Sequence, residues 1–172
     1  ILEMTLGAAD APITLVEYAS FTCPHCANFH DTVLPGLKSE YIDTGKVKFI
    51  YRDVFFDRFG LWASMIARCE PTRFFGISDM LYSQQKEWIG SGDPAMIADN
   101  LKKMGKVAGL TDAQLDTCLT DGAKAEALVA WYQKNAEADG INSTPSLVID
   151  GKKFSNMSFA DLQAILDKKL AQ

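Results

Sequence analysis

This 172-residue chain predicts an α/β fold whose strands are separated by an inserted all-helical block. Three observations carry that prediction. Residues 13–54 read as strand, helix and strand; residues 57–140 offer helix starts and helical periodicity without a convincing strand; and after Gly140 strand patterning returns as a hairpin with one last helix. The chain then divides into a discontinuous α/β domain, residues 1–56 and 141–172, and an inserted helical domain, residues 57–140.

Ile13 to Ala19 is a nearly continuous apolar run broken only by Thr14 and Glu17, the pattern of a strand buried on both faces. A helix follows from Cys23, with Cys26, Phe29, Val33 and Leu37 on one face. Pro35 removes a backbone donor and should bend it, and Gly45 ends the segment. Val47 to Val54 is rich in β-branched and aromatic residues and predicts the next strand, parallel to the first because a helix crosses between them. Within the helical block, Asp93-Pro94 is an N-cap with proline at the first position, and Thr111 with Gln114 three later is a capping box. Ala125, Leu128, Val129, Tyr132 and Ala136 mark a longer helix that Gly140 closes. Trp62, Trp88 and Trp131 all lie in this block and read as core anchors. Ser146 to Asp150, the Asp150-Gly151 turn signal and Lys152 to Phe154 form the hairpin. Ser158 caps a final helix that buries Phe159, Leu162, Ile165, Leu166 and Leu170.

Apolar residues make up 48% and charged residues 23%, values of an ordinary globular protein, and no apolar run approaches the roughly 18 residues of a membrane span. A soluble chain is expected. The net charge of −5 and the scattering of lysines among acids argue against nucleic acid as a partner. The chain starts at Ile1 with no apolar leader, which fits a secreted protein whose targeting segment has been removed. Besides Cys23 and Cys26 there are two isolated cysteines, Cys69 and Cys118. One leftover pair suggests a second disulfide and an oxidising compartment; two buried free thiols are the alternative.

The chemistry centres on Cys23-Pro24-His25-Cys26. Two thiols at this spacing, at the start of a helix, can open and close one disulfide. Pro24 suits the first helical position, which places Cys23 at the N-cap, where unpaired amides and the helix dipole favour a thiolate. Cys23 is therefore the expected attacked sulfur and Cys26 the shielded one. His25 can donate a hydrogen bond or a positive charge to the Cys23 thiolate, or be a solvated loop histidine. Together with His30, the motif supplies four nitrogen or sulfur groups within eight residues, which leaves a zinc or copper module as a reading from another class, although such side chains need not converge. Glu17 interrupts a buried strand; it reads either as a proton donor and acceptor for Cys26 through water or as a salt-bridged structural acid. Thr144-Pro145 by itself favours a trans bond in the turn before a strand, because cis X-Pro bonds make up only about 5–6% of folded cases.

Element order, the cysteine motif at the first strand-to-helix junction and Thr144-Pro145 before a later strand together resemble the thioredoxin fold. Ile13 to Phe29 (ITLVEYASFTCPHCANF) resembles the DsbA family of bacterial periplasmic thiol:disulfide oxidases, and the resemblance covers essentially the whole chain. It is greatest to alpha-proteobacterial members, some of which carry a second cysteine pair in the helical domain, as Cys69 and Cys118 would be. The resemblance implies that Cys23 is the exposed nucleophile, Cys26 the resolving thiol, Glu17 a buried acid beneath the disulfide, and Pro145 a cis-proline that faces it and blocks metal binding. It implies a monomer with no cofactor that oxidises reduced secreted proteins in the periplasm and is reoxidised by a membrane DsbB-like, quinone-linked oxidase. Thr144 and His30 depart from the best-known enterobacterial members, which have valine and an acidic residue there. Thr144 also lends some support to a disulfide isomerase or reductase.

Overall fold

A computed structural model describes residues 1–172. Its five-stranded mixed sheet has the order β1-β3-β2-β4-β5, with β1 at Met4–Leu6, β2 at Ile13–Ala19, β3 at Val47–Asp53, β4 at Ser146–Ile149 and β5 at Lys152–Ser155. β2 occupies the middle, parallel to β3 and antiparallel to β4, and apolar clusters cover both of its faces; this is why its sequence is almost continuously apolar. β1 escaped the sequence reading. Three residues, Met4–Leu6, are too few to display a period, and they are held only as an antiparallel edge on β3.

The helix from the cysteine motif, α1 (Pro24–Thr32), stops before Pro35; a short α2 (Leu34–Leu37) and a π-helical turn (Lys38–Ile42) continue it. Cys26, Phe29, Val33 and Leu37 are all buried despite the break. Between β3 and β4 run six helices: α3 (Arg58–Ala67), α4 (Phe74–Ser83), α5 (Gln85–Ile89), α6 (Pro94–Val107), α7 (Asp112–Leu119) and α8 (Gly122–Asp139). The expected starts are present: Asp93 accepts from Met96 N, and Thr111 and Gln114 close a reciprocal capping box. Gly140 ends α8 in the left-handed conformation. Asp150 and Gly151 both have positive φ, which turns β4 into β5. Ser158 caps α9 (Phe159–Leu170), of which Leu162 and Leu166 are buried and Phe159, Ile165 and Leu170 partly so.

One main core spans the sheet and the helical block, joining Leu15, Phe21, Phe29 and Tyr51 to Phe74, Ile77, Leu81 and Trp88. A smaller cluster of Val16, Tyr18, Ile50, Val54 and Val148 lies on the other sheet face, under Tyr132 of α8. Of the three tryptophans only Trp88 is a core anchor; Trp62 and Trp131 are half-buried, and Trp131 lies against the Arg68 guanidinium. Cys69 and Cys118 are bridged, with their Cα atoms 5.7 Å apart, which ties the end of α3 to α7. No helix is long and apolar enough to cross a membrane.

Candidate active site around Cys23 and Cys26

The centre of the sheet ends where β2 gives way to α1, and that junction sets the chemistry. Cys23 is the N-cap of α1, Pro24 follows it at the first turn, and the Cys23 Sγ accepts from the Cys26 backbone N–H at 3.4 Å. Both thiols are free; Cys23 is half-buried and Cys26 fully buried. Thr144, which precedes a cis bond to Pro145 at the start of β4, lies across from them: its carbonyl accepts from Cys23 Sγ at 3.7 Å.

Acidity separates the two sulfurs. A hydrogen bond from the Cys26 thiol brings Cys23 down to about 5, helped by the Thr144 side chain and the backbone N–H groups of Cys26 and His25, against the opposing effect of burial. The Cys26 thiol is pushed far above the ordinary range, first by burial, then by its donation to Cys23, then by the negative charge of Glu17. One side chain therefore carries the charge and the other the proton.

Beneath the cysteines is a buried polar cluster. Glu17 shares its face of β2 with Leu15 and Ala19 and is wholly buried in the main core. It pairs with His30, Nε2 to Oε1 at 2.8 Å, and that imidazole stacks on Tyr82 with centroids 4.1 Å apart. The Tyr82 and Tyr51 hydroxyls meet at 2.6 Å, and burial pushes both well above the usual tyrosine range. Glu17 Oε2 and His30 Nδ1 have no hydrogen-bond partner.

The helical block grips the junction from two sides. Gln85, at the start of α5, donates from Nε2 to the carbonyls of Phe21 at 2.8 Å and Cys23 at 3.0 Å. Thr22 donates to Asp57, which caps α3 through Gly60 N.

Of the residues expected in the site, Cys23, Pro24, Cys26, Thr144 and Pro145 come together around the two thiols, with Glu17 below. His25 is exposed, and what reaches Cys23 is its backbone N–H; the imidazole makes no hydrogen bond. His30, read as a possible fourth ligand beside the cysteines, instead turns to Glu17, and no group of three or more histidine, cysteine or acidic side chains is arranged to hold a metal ion. Gln85, Tyr51 and Tyr82 were not foreseen. No pattern along the chain marked Gln85, whose burial follows from how the helices pack.

Against known proteins, the thioredoxin family model matches residues 1–168. The chain therefore belongs to the thioredoxin family. Within that family it is DsbA-like: it superposes on Wolbachia pipientis alpha-DsbA1 with a TM-score of 0.87 at 27% identity, covering 98% of this chain and 91% of that one. A protein-disulfide isomerase from Novosphingobium aromaticivorans gives a TM-score of 0.88 at 26% identity, covering 99% and 98%. A Rickettsia bellii protein, provisionally named a protein-disulfide oxidoreductase, is 34% identical over 172 residues. That alignment takes in 99% of this chain but only 65% of the relative.

Proposed function

We propose that the chain is a protein-disulfide oxidoreductase that works as a dithiol oxidase, donating the Cys23–Cys26 disulfide to reduced secreted proteins. The observation that carries this reading is the placement of the two sulfurs: Cys23 half-exposed at the N-cap of α1, accepting from the Cys26 N–H, and Cys26 buried behind it. A client thiolate attacks Cys23, the more accessible sulfur; the Cys23–Cys26 bond breaks, Cys26 leaves and takes up a proton, and a mixed disulfide forms at Cys23. A second client thiol then resolves that bond, leaving an oxidised client and a reduced enzyme whose Cys23 is held as thiolate. Stabilising the reduced state makes the disulfide oxidising. Thr144 faces the attacked sulfur and is placed to contact the client chain, Glu17 exchanges a proton with Cys26, and Cys69–Cys118 braces the helical block. On this reading residues 57–140 act as an inserted domain over the α/β domain of residues 1–56 and 141–172, the site of action is the periplasm, and a DsbB-like membrane oxidase restores the disulfide. The test is the equilibrium of Cys23–Cys26 with glutathione. A potential well above thioredoxin's, which is about −270 mV, is expected, and a value close to thioredoxin's overturns the oxidase reading.

The isomerase name of the Novosphingobium structure favours a second reading with the same site. Reactivation of a client with scrambled disulfides, faster than a Cys26→Ser variant achieves, would support it.

A further inference from the structure

Every reduction of the disulfide leaves Cys26 as a buried sulfur that needs a proton, and burial closes the direct path from water. Glu17 is just as enclosed: it is 0% exposed and meets one side-chain partner, His30. His30 differs from both in where it sits. Its side chain is 4% exposed, and its ring lines an open groove of about 910 Å³ between α1, α2, α4 and α5, together with Asn28, Asp31, Lys38, Asp79 and Ser83. Its Nε2 is on Glu17 Oε1 at 2.8 Å while Nδ1 has no partner, and the other oxygen of Glu17 is also unpaired. Carboxylate and imidazole thus form a two-group line with a buried, unpaired polar atom at each end, running from the core toward the groove that the His30 side chain borders.

We infer that His30 is a positioning residue that passes the proton of each redox cycle between the groove and Glu17. The inference rests on the thiol–disulfide exchange proposed above. A client thiolate bonds to Cys23 Sγ, the Cys23–Cys26 bond breaks, and its electron pair leaves on Cys26. Glu17 gives its carboxyl proton to that sulfur. His30 replaces it from Nε2, and Nδ1, buried in the resting structure, takes up one proton from a water molecule that enters from the groove. Reoxidation runs the same transfers backwards, so the pair ends as it began. Imidazole suits this because its two nitrogens exchange donor and acceptor roles within one ring. The groups that bear on its titration are Glu17 from β2, Tyr51 from β3, Asp79 and Tyr82 from α4, Cys26 and Asp31 from its own helix, Lys38 after α2, and Lys86 and Glu87 from α5. Partial burial raises the Asp79 carboxyl above its usual range, while His30 and Lys38 act against that shift.

The experiment is single-turnover reduction of the disulfide form by dithiothreitol, followed from pH 5 to 9, in the unaltered protein, H30Q, E17Q and the double variant. Glutamine keeps a donor for Glu17 but cannot relay a proton. H30Q is expected to slow the step on the order of 100-fold near neutral pH, the scale of a lost general acid, and to remove an inflection from the pH profile. The double variant is expected to be no slower than E17Q, because the two groups act in series. In the unaltered protein, the His30 ring resonances are expected to titrate differently in the disulfide and dithiol forms; this measurement decides the matter if H30Q does not fold. An H30Q profile superimposable on the unaltered one, additive losses, or identical His30 titrations in both forms overturn the relay. Failure of the unaltered disulfide to react with dithiothreitol would instead overturn the exchange chemistry itself.

Discussion

Within one helical turn Cys23 and Cys26 hold opposite proton affinities, and the pH dependence of stability follows from that. In the folded dithiol form Cys23 titrates at about 5, whereas an unfolded cysteine titrates at about 8.5. A depressed pKa contributes stability that is fully present above the unfolded value and is lost as pH falls through the folded one. Cys26, shifted upward, subtracts stability only above about 8.5. The stability of the dithiol form relative to the disulfide form is therefore expected to decline steadily from pH 8 to pH 4.5, as measured by urea unfolding of both forms. Thr144→Val removes a hydroxyl that favours the thiolate, so the Cys23 midpoint, read from thiolate absorbance, is expected to move above 5. Glu17 and Cys23 were legible because each breaks a local rule: an acid within a buried strand, and a thiol ahead of a helix-starting proline. His30 was not, because its partner lies across the core on another element and no spacing along the chain encodes that pairing.

Among the elements, α5 is the least conspicuous and the most closely tied to the site. Gln85→Ala strips the Phe21 carbonyl of its donor, while the Cys23 carbonyl keeps the Ala27 N–H. A buried carbonyl left unpaired costs about 1–3 kcal/mol, a loss that urea unfolding would register, with slower exchange at Cys23 as the junction loosens. Close packing sets a second expectation, at α2. A Cβ on Gly36 would sit 2.4 Å from Phe159 of α9, so Gly36→Ala is expected to destabilise by about 1–3 kcal/mol in the same assay. Caps and strand patterns made most elements readable in the sequence, since capping chemistry and the twofold strand period are local. β1 lacked the length to show a period, and the half-exposure of Trp62 and Trp131 depends on which neighbouring helices cover them.

For the molecule as a whole, the Cys69–Cys118 bridge closes a loop with a sequence separation of 49 inside the helical block. Loop-closure entropy assigns such a bridge about 4 kcal/mol, so replacing both cysteines with alanine is expected to lower the unfolding free energy by up to that amount while leaving the Cys23 midpoint near 5. Thiolate absorbance and denaturant unfolding on the same variant check both halves. The sheet order has a consequence of another kind. β2 pairs with β4 through Leu15 and Ile149 and through Glu17 and Leu147, partners divided by the entire helical block. A ribosome releases Cys23 and Cys26 long before Thr144, and contacts so distant along the chain form late. In the nascent chain the two thiols thus exist for a time without the wall that will face them, and the reactive surface is completed only after the whole helical block has been made.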